Sequence, residues 1–325
     1  MKLVSYEINT PLEPRVRIGA LDDAGKIVDL ELAHRRVLED AGATDSAAER
    51  VAAALFPSMV AFIQGGQMVL EAARHALQWT QDHGGKDAGQ PIWHEPAGVK
   101  ILAPVLRPPL LRDFMAFESH LKNIYPRLGR EIPSEWYEFP VYYKGNPSSF
   151  GGDGDDVAVP AYEEQLDFEF ELAFVIGKSG ININKGDAFD HVFGMMIYND
   201  FSARVFQGRE MAVGLGPAKG KDFQGGHVFG PCLVTMDEIP DPYALTMTAR
   251  VNGEVWCDDS SGSMHWKIEN MIAHASCGER LEAGEVFGTG TVGWGSAAER
   301  GTALKRGDVV ELEVSGLGTL RNRVV

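Results

Sequence analysis

The chain has few cysteines, no long apolar segment and fewer basic than acidic residues, and each shortage excludes a class of protein. Its 325 residues include only Cys232, Cys257 and Cys277, which are too few and too scattered for a disulfide framework or a zinc site. No apolar run reaches the length of a membrane span, and the polar, strand-like start does not resemble a signal peptide. We therefore expect a cytoplasmic protein with reduced thiols.

The charge balance limits the partners of the chain. Lys and Arg total 30 against 46 Asp and Glu, which gives a formal net charge of −16. Because this charge repels phosphate groups, neither nucleic acid nor an anionic membrane is a predicted partner. A small anionic substrate is still allowed, since a bound metal ion overrides the mean charge locally.

Two regions of different character follow one another along the chain. Residues 1–104 predict a small N-terminal α+β domain, with strands at Val4–Glu7, Val16–Leu21 and Lys26–Leu30, then helices around Glu31–Gly42 and over Met59–His83, the second ended by Gly84-Gly85. The proline-rich stretch Ile101–Pro109 marks the boundary. Residues 105–325 predict a larger, mainly β domain, with strands at Phe168–Ile176, Val192–Tyr198, His227–Thr235, Leu245–Val251 and Val309–Val314.

The most informative stretch is Leu166–Gly177, which reads LDFEFELAFVIG. Its period-two pattern predicts a strand with four large apolar side chains on one face. The other face carries Glu169, Glu171, Ala173 and Val175, and two neighbouring carboxylates repel each other unless a cation or water lies between them. A hard divalent cation explains the pair better than water, because the same face continues with apolar residues. The alternative is a half-exposed strand with a polar outer face.

Further polar clusters interrupt the β region. In RDFMAFESH, we expect Asp113 at the start of a helix that carries His120, where capping is the simple structural explanation for Asp113. In YNDFSARVFQ, Asp200 ends a strand and opens a helix with Arg204 and Gln207 at helical spacing. The glycine-rich loop GLGPAKGKDF contains Lys221 but lacks the Gly-Lys-Ser/Thr ending of a phosphate-binding P-loop.

Taken together, the clusters resemble the fumarylacetoacetate hydrolase family. The matching pieces, spread in order over roughly residues 110–295, are DFMAFESH, PVYYKGNPSS, LDFEFELAFVIG, YNDFSARVFQ, GPAKGKDF and FGTGTVGWG. The resemblance implies an α+β, mainly β fold. In it, a mixed β-sandwich roll forms the C-terminal domain and follows the smaller N-terminal domain in sequence. It also implies a homodimer built on the β domain.

The resemblance assigns roles to individual residues. It implies a metal site made by four carboxylates, Asp113, Glu169, Glu171 and Asp200. All-oxygen ligation suits Mg²⁺ or Ca²⁺, with Mn²⁺ tolerated. It implies His120 as the general base and an oxyanion pocket lined by Lys221, Arg204 and Gln207. Tyr143 and Thr291 match substrate contacts, and either Arg127 or Arg130 supplies another.

The family pattern is not matched everywhere. Fumarylacetoacetase orients its base with a distant C-terminal glutamate, for which Glu118 and Glu299 are the candidates here. Smaller acylpyruvase-like members pair their histidine with a glutamate three residues later, and that position is Asn123 in this chain. The exact substrate is therefore left open.

The function implied by this resemblance is metal-dependent hydrolysis of a carbon–carbon bond in a 1,3-diketo or acylpyruvate-type acid, with His120 activating water. The alternatives on the same scaffold are isomerisation or hydration of a 2-hydroxydienoate, and decarboxylation of a 2-oxo diacid. A non-catalytic binder of 2-oxo acids is the alternative outside enzymes.

Overall fold

The computed structural model describes residues 1–10, 13–83 and 91–325. The strands are β1 (Lys2–Ile8), β2 (Arg15–Leu21), β3 (Ile27–Asp29), β4 (Trp93–His94), β5 (Lys100–Leu102), β6 (Leu111–Phe114), β7 (Tyr142–Gly145), β8 (Phe150–Gly151), β9 (Asp156–Val157), β10 (Leu166–Asp167), β11 (Phe170–Ile176), β12 (Val192–Asp200), β13 (Ser202–Ala203), β14 (His227–Thr235), β15 (Thr246–Val251), β16 (Glu254–Ser260), β17 (Val286–Gly288), β18 (Val309–Val314) and β19 (Gly318–Val324). The α-helices are α1 (Leu30–Asp40), α2 (Asp45–Leu55), α3 (Met59–Gln64), α4 (Gly66–His83), α5 (Glu118–Ile124), α6 (Arg204–Val213) and α7 (Ile268–Ser276). Within the described ranges, none of the helices is long and apolar enough to cross a membrane.

A large mixed sheet and a smaller antiparallel-rich sheet form the framework. The large sheet has the order β4-β3-β2-β1-β14-β12-β11-β17-β6-β7, with β5 on β1 and β8 on β14, and the small sheet has the order β16-β15-β18-β19-β9. Strand β1 pairs antiparallel with β14 through Leu3 and Leu233. The large sheet therefore runs across the predicted boundary near residue 104, while the division into two domains stays a prediction.

Strand β11 is buried on both faces, which explains its nearly continuous apolar sequence. One face belongs to a core shared with the small sheet, with members Phe170, Leu172, Phe174, Met247 and Leu312. The other face belongs to a core shared with α3 and α4, with members Ala173, Val175, Phe62, Ile63 and Val69. This α+β, mainly β arrangement of two packed sheets and N-terminal helices confirms the predicted fold class.

The carboxylates of the LDFEFE motif are buried as well. Glu171 is 1% exposed and Glu169 is 7% exposed, so a half-exposed strand with a polar outer face is excluded. The strand predicted over Leu166–Gly177 is also interrupted, because β10 pairs with β13 and β11 begins only at Phe170. The break at Phe168–Glu169 lies next to the polar residues described below.

Several predicted elements are confirmed and others are not. The strands predicted at His227–Thr235 and Val309–Val314 are β14 and β18. The long helix predicted over Met59–His83 is wrong, because Gly66 adopts a left-handed φ of 63° and separates α3 from α4. Helix α2 was not predicted. The glycine pair proposed to end the second helix lies outside the described residues.

The surroundings of Asp113 also differ from the expectation. Asp113 lies within β6 rather than at a helix start, and α5 begins at Glu118. Strand β6 pairs in parallel with β17, which matches Asp113 with Gly288. This long-range pairing overrides the local signal for a helix cap, so that explanation for Asp113 is wrong.

Candidate active site and metal centre

Three carboxylates meet at one end of the large sheet. Asp113 is on β6, Glu171 on β11 and Asp200 at the end of β12. Strand β17 lies between β6 and β11, and its last residue is Gly288. A side chain at Gly288 would collide with the Asp113 carboxylate and come within 2.8 Å of the Tyr198 ring. Glycine at this position therefore leaves room for Asp113 to approach the other two carboxylates.

The donor set of this triad fits a divalent cation. One ligand atom from each of Asp113, Glu171 and Asp200 lies within 4.8 Å of the others, and all three residues are buried. Burial and the charge of Asp200 raise the pKa of Asp113 well above its usual range, and burial and Asp113 do the same for Glu171. The Oδ1 atom of Asp113 is buried without a hydrogen-bond donor among the described residues. A hard cation would neutralise this repulsion and satisfy that oxygen, and oxygen ligands suit Mg²⁺, Mn²⁺ or Ca²⁺.

Glu169 lies beside the triad and is held by two cations. Lys221, which is 2% exposed, contacts Glu169 and Asp200 through Nζ and donates to Ser202 Oγ at 2.7 Å. Arg204 Nη2 lies 2.6 Å from Glu169 Oε1. Although burial opposes ionisation, Arg204 and Lys221 lower the pKa of Glu169 to about 2. The role of Glu169 as a fourth metal ligand stays a prediction. The structure places its carboxylate next to that of Asp200, because Lys221 Nζ contacts both.

His120 is paired with a buried carboxylate. Its Nδ1 atom lies 3.1 Å from Oε2 of Glu299, which has no solvent exposure. Asn123, at the position where the acylpyruvase pattern has a glutamate, donates to Glu299 Oε1 at 2.9 Å. Glu118, the other candidate partner, instead accepts from Tyr137 Oη at 2.8 Å. The carboxylate behind the predicted base is therefore Glu299.

Two of the predicted substrate-binding residues lie at the carboxylate triad, and the two candidate arginines have no described contact with it. Tyr143 donates from its hydroxyl to Asp200 Oδ2 at 2.9 Å, and Thr291 Oγ1 lies 3.5 Å from Glu171 Oε1. Arg130 is exposed beyond α5, and none of its described contacts joins it to the triad. The Arg127 guanidinium lies near Gly301, two residues after Glu299. Of the predicted contacts, Tyr143 and Thr291 thus lie at the triad.

Asp167 is a site residue that the sequence analysis missed. It accepts from Arg204 Nε and Nη2 at 2.9 and 2.7 Å, and from the backbone N–H groups of Ala297 and Ala298. Arg204 Nη1 also donates to Gln207 Oε1 at 3.1 Å. Asp167 thereby links the helix of Arg204 to the segment that carries Glu299. It has the same parity as Glu169 and Glu171, so extending the period-two pattern by one step would have found it.

His227 was missed as well. It is fully buried at the start of β14. Its Nδ1 lies 2.8 Å from the Tyr198 hydroxyl and 3.1 Å from Asp200 Oδ1, and its Nε2 lies 3.0 Å from Asp222 Oδ1. Although burial opposes protonation, the hydrogen bonds with Asp200 and Asp222 raise the pKa of His227 to about 9. Because Asp200 is 27 residues away in sequence, no local pattern signals this contact.

Two glutamates fix the segments that carry the cationic side chains. Glu163 accepts from the backbone N–H of Phe206 in the first turn of α6 at 3.0 Å. Glu210 accepts from the backbone N–H groups of Ala218, Lys219 and Gly220 at 2.9 to 3.0 Å. Glu163 thus fixes the start of the helix that carries Arg204, and Glu210 holds the loop immediately before Lys221.

A Glu210→Gln substitution is expected to loosen this loop. The amide provides one neutral acceptor oxygen where the carboxylate provides two charged ones, and a hydrogen bond to a charged group contributes about 1.5–3 kcal/mol. Hydrogen exchange at the amides of residues 218–220 should then be faster by roughly tenfold or more. Glu164→Gln is the control, because Glu164 is exposed and its replacement should leave this exchange unchanged. Unchanged exchange in the Glu210 variant would contradict the role of Glu210 in holding the loop.

The fold and the site define a class of enzyme in which a lysine and a histidine–glutamate pair lie near a buried carboxylate triad. The chain belongs to the fumarylacetoacetate hydrolase family: the family model described as "Fumarylacetoacetate (FAA) hydrolase C-terminal" matches residues 110–325. The recognised motifs and the enzyme family expected from them are thus confirmed.

The similar proteins carry several activities in their names. Oxaloacetate tautomerase fahd2, mitochondrial, of Xenopus laevis is 34% identical over 332 aligned positions that cover 100% of this chain and 90% of the relative. Oxaloacetate tautomerase YisK of Bacillus subtilis (strain 168) is 32% identical, covering 95% of this chain and 96% of the relative. The solved structure of maleylpyruvate hydrolase from Sphingobium sp. SYK-6 in complex with manganese(II) ion and pyruvate has the same fold, with a TM-score of 0.70, 21% identity and coverage of 100% of this chain and 99% of that chain.

Proposed function

We propose that this protein is a divalent-metal-dependent tautomerase that interconverts the keto and enol forms of oxaloacetate or a closely related 2-oxo diacid. The observation that carries the proposal is the similarity to two oxaloacetate tautomerases over 100% and 95% of the chain. The sequence predicts a hydrolase as the first candidate and an isomerase as an alternative. Because a tautomerase is a kind of isomerase, the first candidate is now of the alternative class. Both reactions use the same carboxylate site.

The residues that would hold the ion are Asp113, Glu171 and Asp200, with Glu169 as the predicted fourth ligand. When bound, a divalent ion supplies a Lewis acid that polarises the 2-oxo group and so makes the neighbouring C–H more acidic. Mg²⁺, Mn²⁺ and Ca²⁺ all suit this oxygen set, and the fold relative from Sphingobium was solved with manganese.

The histidine–glutamate pair supplies the proton transfer. Tautomerisation breaks a C–H bond at C3 of the 2-oxo acid and forms an O–H bond at the C2 oxygen. His120 takes the proton from C3 and delivers it to the C2 oxygen, and the reverse sequence restores the keto form, while Glu299 orients the imidazole from behind. The charge of Glu299 also stabilises the imidazolium while it carries the proton.

The cationic residues Lys221 and Arg204 act mainly on the carboxylates of the site. Lys221 directs its three donors to Glu169, Asp200 and Ser202, so it balances the charge of the two carboxylates and fixes their positions. Arg204, supported by Gln207, holds Glu169 in the same way. Direct contact of these residues with a substrate oxyanion is the role proposed from the family pattern.

The proposal is tested by following the ultraviolet absorbance of the oxaloacetate enol after the keto form is diluted into buffer. We expect the metal-loaded protein to accelerate the approach to equilibrium, and chelation of the ion to remove the acceleration. Absence of acceleration with Mg²⁺, Mn²⁺ and Ca²⁺, in protein that binds one of them, would contradict the proposal.

A second candidate is hydrolysis of an acylpyruvate-type acid, and the observation that favours it is the buried His120–Glu299 pair. Such a pair can also deprotonate water for attack on a carbonyl. Incubation with a panel of acylpyruvates separates the two candidates, because hydrolysis releases pyruvate and a second acid. Release of carbon dioxide in a separate incubation with oxaloacetate would instead indicate the decarboxylase alternative.

The assembly and location remain proposals. We propose a homodimer on the family pattern, which light scattering on the purified chain tests directly. The cytoplasmic location expected from sequence is also a proposal, and the Xenopus relative is named as mitochondrial.

A further inference from the structure

We propose that His227 is a positioning residue that holds the Asp200 carboxylate in place for a divalent cation, so that the affinity of the site for the ion depends on this imidazole. The inference rests on the metal-dependent function proposed above. It concerns a residue outside the triad, and it assigns a purpose to a fully buried histidine that the proton transfer does not use.

Sheet pairing brings His227 to Asp200. Strands β12 and β14 are antiparallel, and their register places Asp200 directly opposite His227. The Nδ1 atom of His227 lies 3.1 Å from Oδ1 of Asp200, on the side of the carboxylate opposite to Lys221 and Tyr143, which contact Oδ2. Both oxygens of Asp200 are therefore held, and the carboxylate has a single preferred orientation.

The imidazole is itself fixed from behind. Its Nε2 atom lies 3.0 Å from Asp222 Oδ1, and the same oxygen accepts from the backbone N–H of Asn146 at 2.7 Å. Asn146 directly follows β7, the strand that carries Tyr143. A side chain at Gly145 would come within 3.2 Å of Nε2, so the ring is packed closely against β7. The chain Asp222–His227–Asp200 thus connects the loop of Lys221 with the strand of Tyr143.

A partner that orients a metal ligand from behind affects metal affinity without touching the ion. Replacing such a partner typically costs 10–100-fold in metal affinity or activity. His227 has the position for this effect, since its Nδ1 contacts the Asp200 carboxylate and the Tyr198 hydroxyl, while its Nε2 contacts the Asp222 carboxylate. A buried residue with a purely structural role would change the stability of the protein without selectively changing its affinity for the ion.

Two substitutions separate the roles of the two nitrogens. In His227→Asn the amide donor lies near the position of Nδ1 and can still bond to Asp200, whereas in His227→Gln it reaches toward Asp222 and leaves Asp200 without this donor. We expect the glutamine variant to bind Mn²⁺ roughly 10–100-fold more weakly than the wild type, and the asparagine variant to retain most of the affinity. His274→Gln, on α7, is the matched control and should bind as the wild type does.

Mn²⁺ affinity is measured on the full chain by the electron paramagnetic resonance signal of the free ion, together with the unfolding midpoint of the metal-free protein. A folded glutamine variant with wild-type affinity would overturn the inference. If that variant does not fold, Asp222→Asn takes its place, because the Asp222 side chain is partly exposed and its loss removes the charged support of Nε2. Wild-type affinity in that variant would likewise overturn the inference, and reduced affinity would support it. A wild-type protein that binds no divalent ion would overturn the proposed function as well, so the two failures are distinguishable.

Discussion

A His120→Asn protein is expected to lose about 10²–10⁴-fold in kcat for oxaloacetate tautomerisation, the range that general acid–base catalysis contributes. The asparagine amide can still reach Glu299, so the fold around the buried pair should be retained, but it cannot take up a proton. Mn²⁺ binding should remain close to that of the wild type, because His120 is not among the triad ligands. Enol absorbance and metal binding, measured on the same preparation, check both parts.

Two glutamates near His120 in sequence or in space, Glu299 and Glu118, provide a matched pair of variants for this result. Glu299→Gln should also lower kcat strongly, because a neutral amide at 3.1 Å from Nδ1 no longer stabilises the protonated imidazole. Glu118→Gln should have little effect, since Glu118 bonds to Tyr137 and Lys122 instead. Equal losses in the two variants, or full activity in the His120 variant, would show that the base lies elsewhere.

A Glu171→Gln protein is expected to lose divalent-metal binding while its metal-free form becomes more stable. In the metal-free protein, burial and Asp113 raise the pKa of Glu171 well above its value in the unfolded chain. A carboxyl group with a raised pKa destabilises the fold at neutral pH, so a neutral amide at this position removes that cost. Unfolding followed with and without Mn²⁺ should show a higher midpoint for the metal-free variant and no further rise on adding the ion.

Glu254→Gln serves as the control, because Glu254 is exposed on β16 and remote from the triad. It should match the wild type in both conditions. If the Glu171 variant were stabilised by Mn²⁺ as much as the wild type, the ion would not bind at this triad.

The sequence was sufficient for those parts of the site that lie within short motifs. Glu169 and Glu171 were recognised because two acids at period two in an apolar strand require an explanation. Asp113, Asp200 and Lys221 followed from the family pattern, although the local conformation assigned to Asp113 was wrong. Local spacing identifies such residues, but it does not show which of them meet in space.

The parts that were missed depend on long-range pairing. His227 meets Asp200 only because β12 and β14 adopt one particular register, and a shift of one residue would point the imidazole to the other face. The segment that carries Glu299 is anchored by Asp167, which accepts from the backbone N–H of Ala297 across 130 residues of sequence. Choosing between Glu118 and Glu299 therefore required the tertiary structure.

The pairing of β1 with β14 means that the N-terminal segment is not an attached accessory to an independent catalytic unit. Without residues 1–104, β14 would lose backbone partners at Leu233 and Val234, and the apolar side chains that meet α3 and α4 would be open to water. The side chain of Phe229 stacks on Tyr198, two residues before Asp200. Exchange of this segment between family members would therefore have to preserve an interface that continues to Tyr198, beside the carboxylate triad.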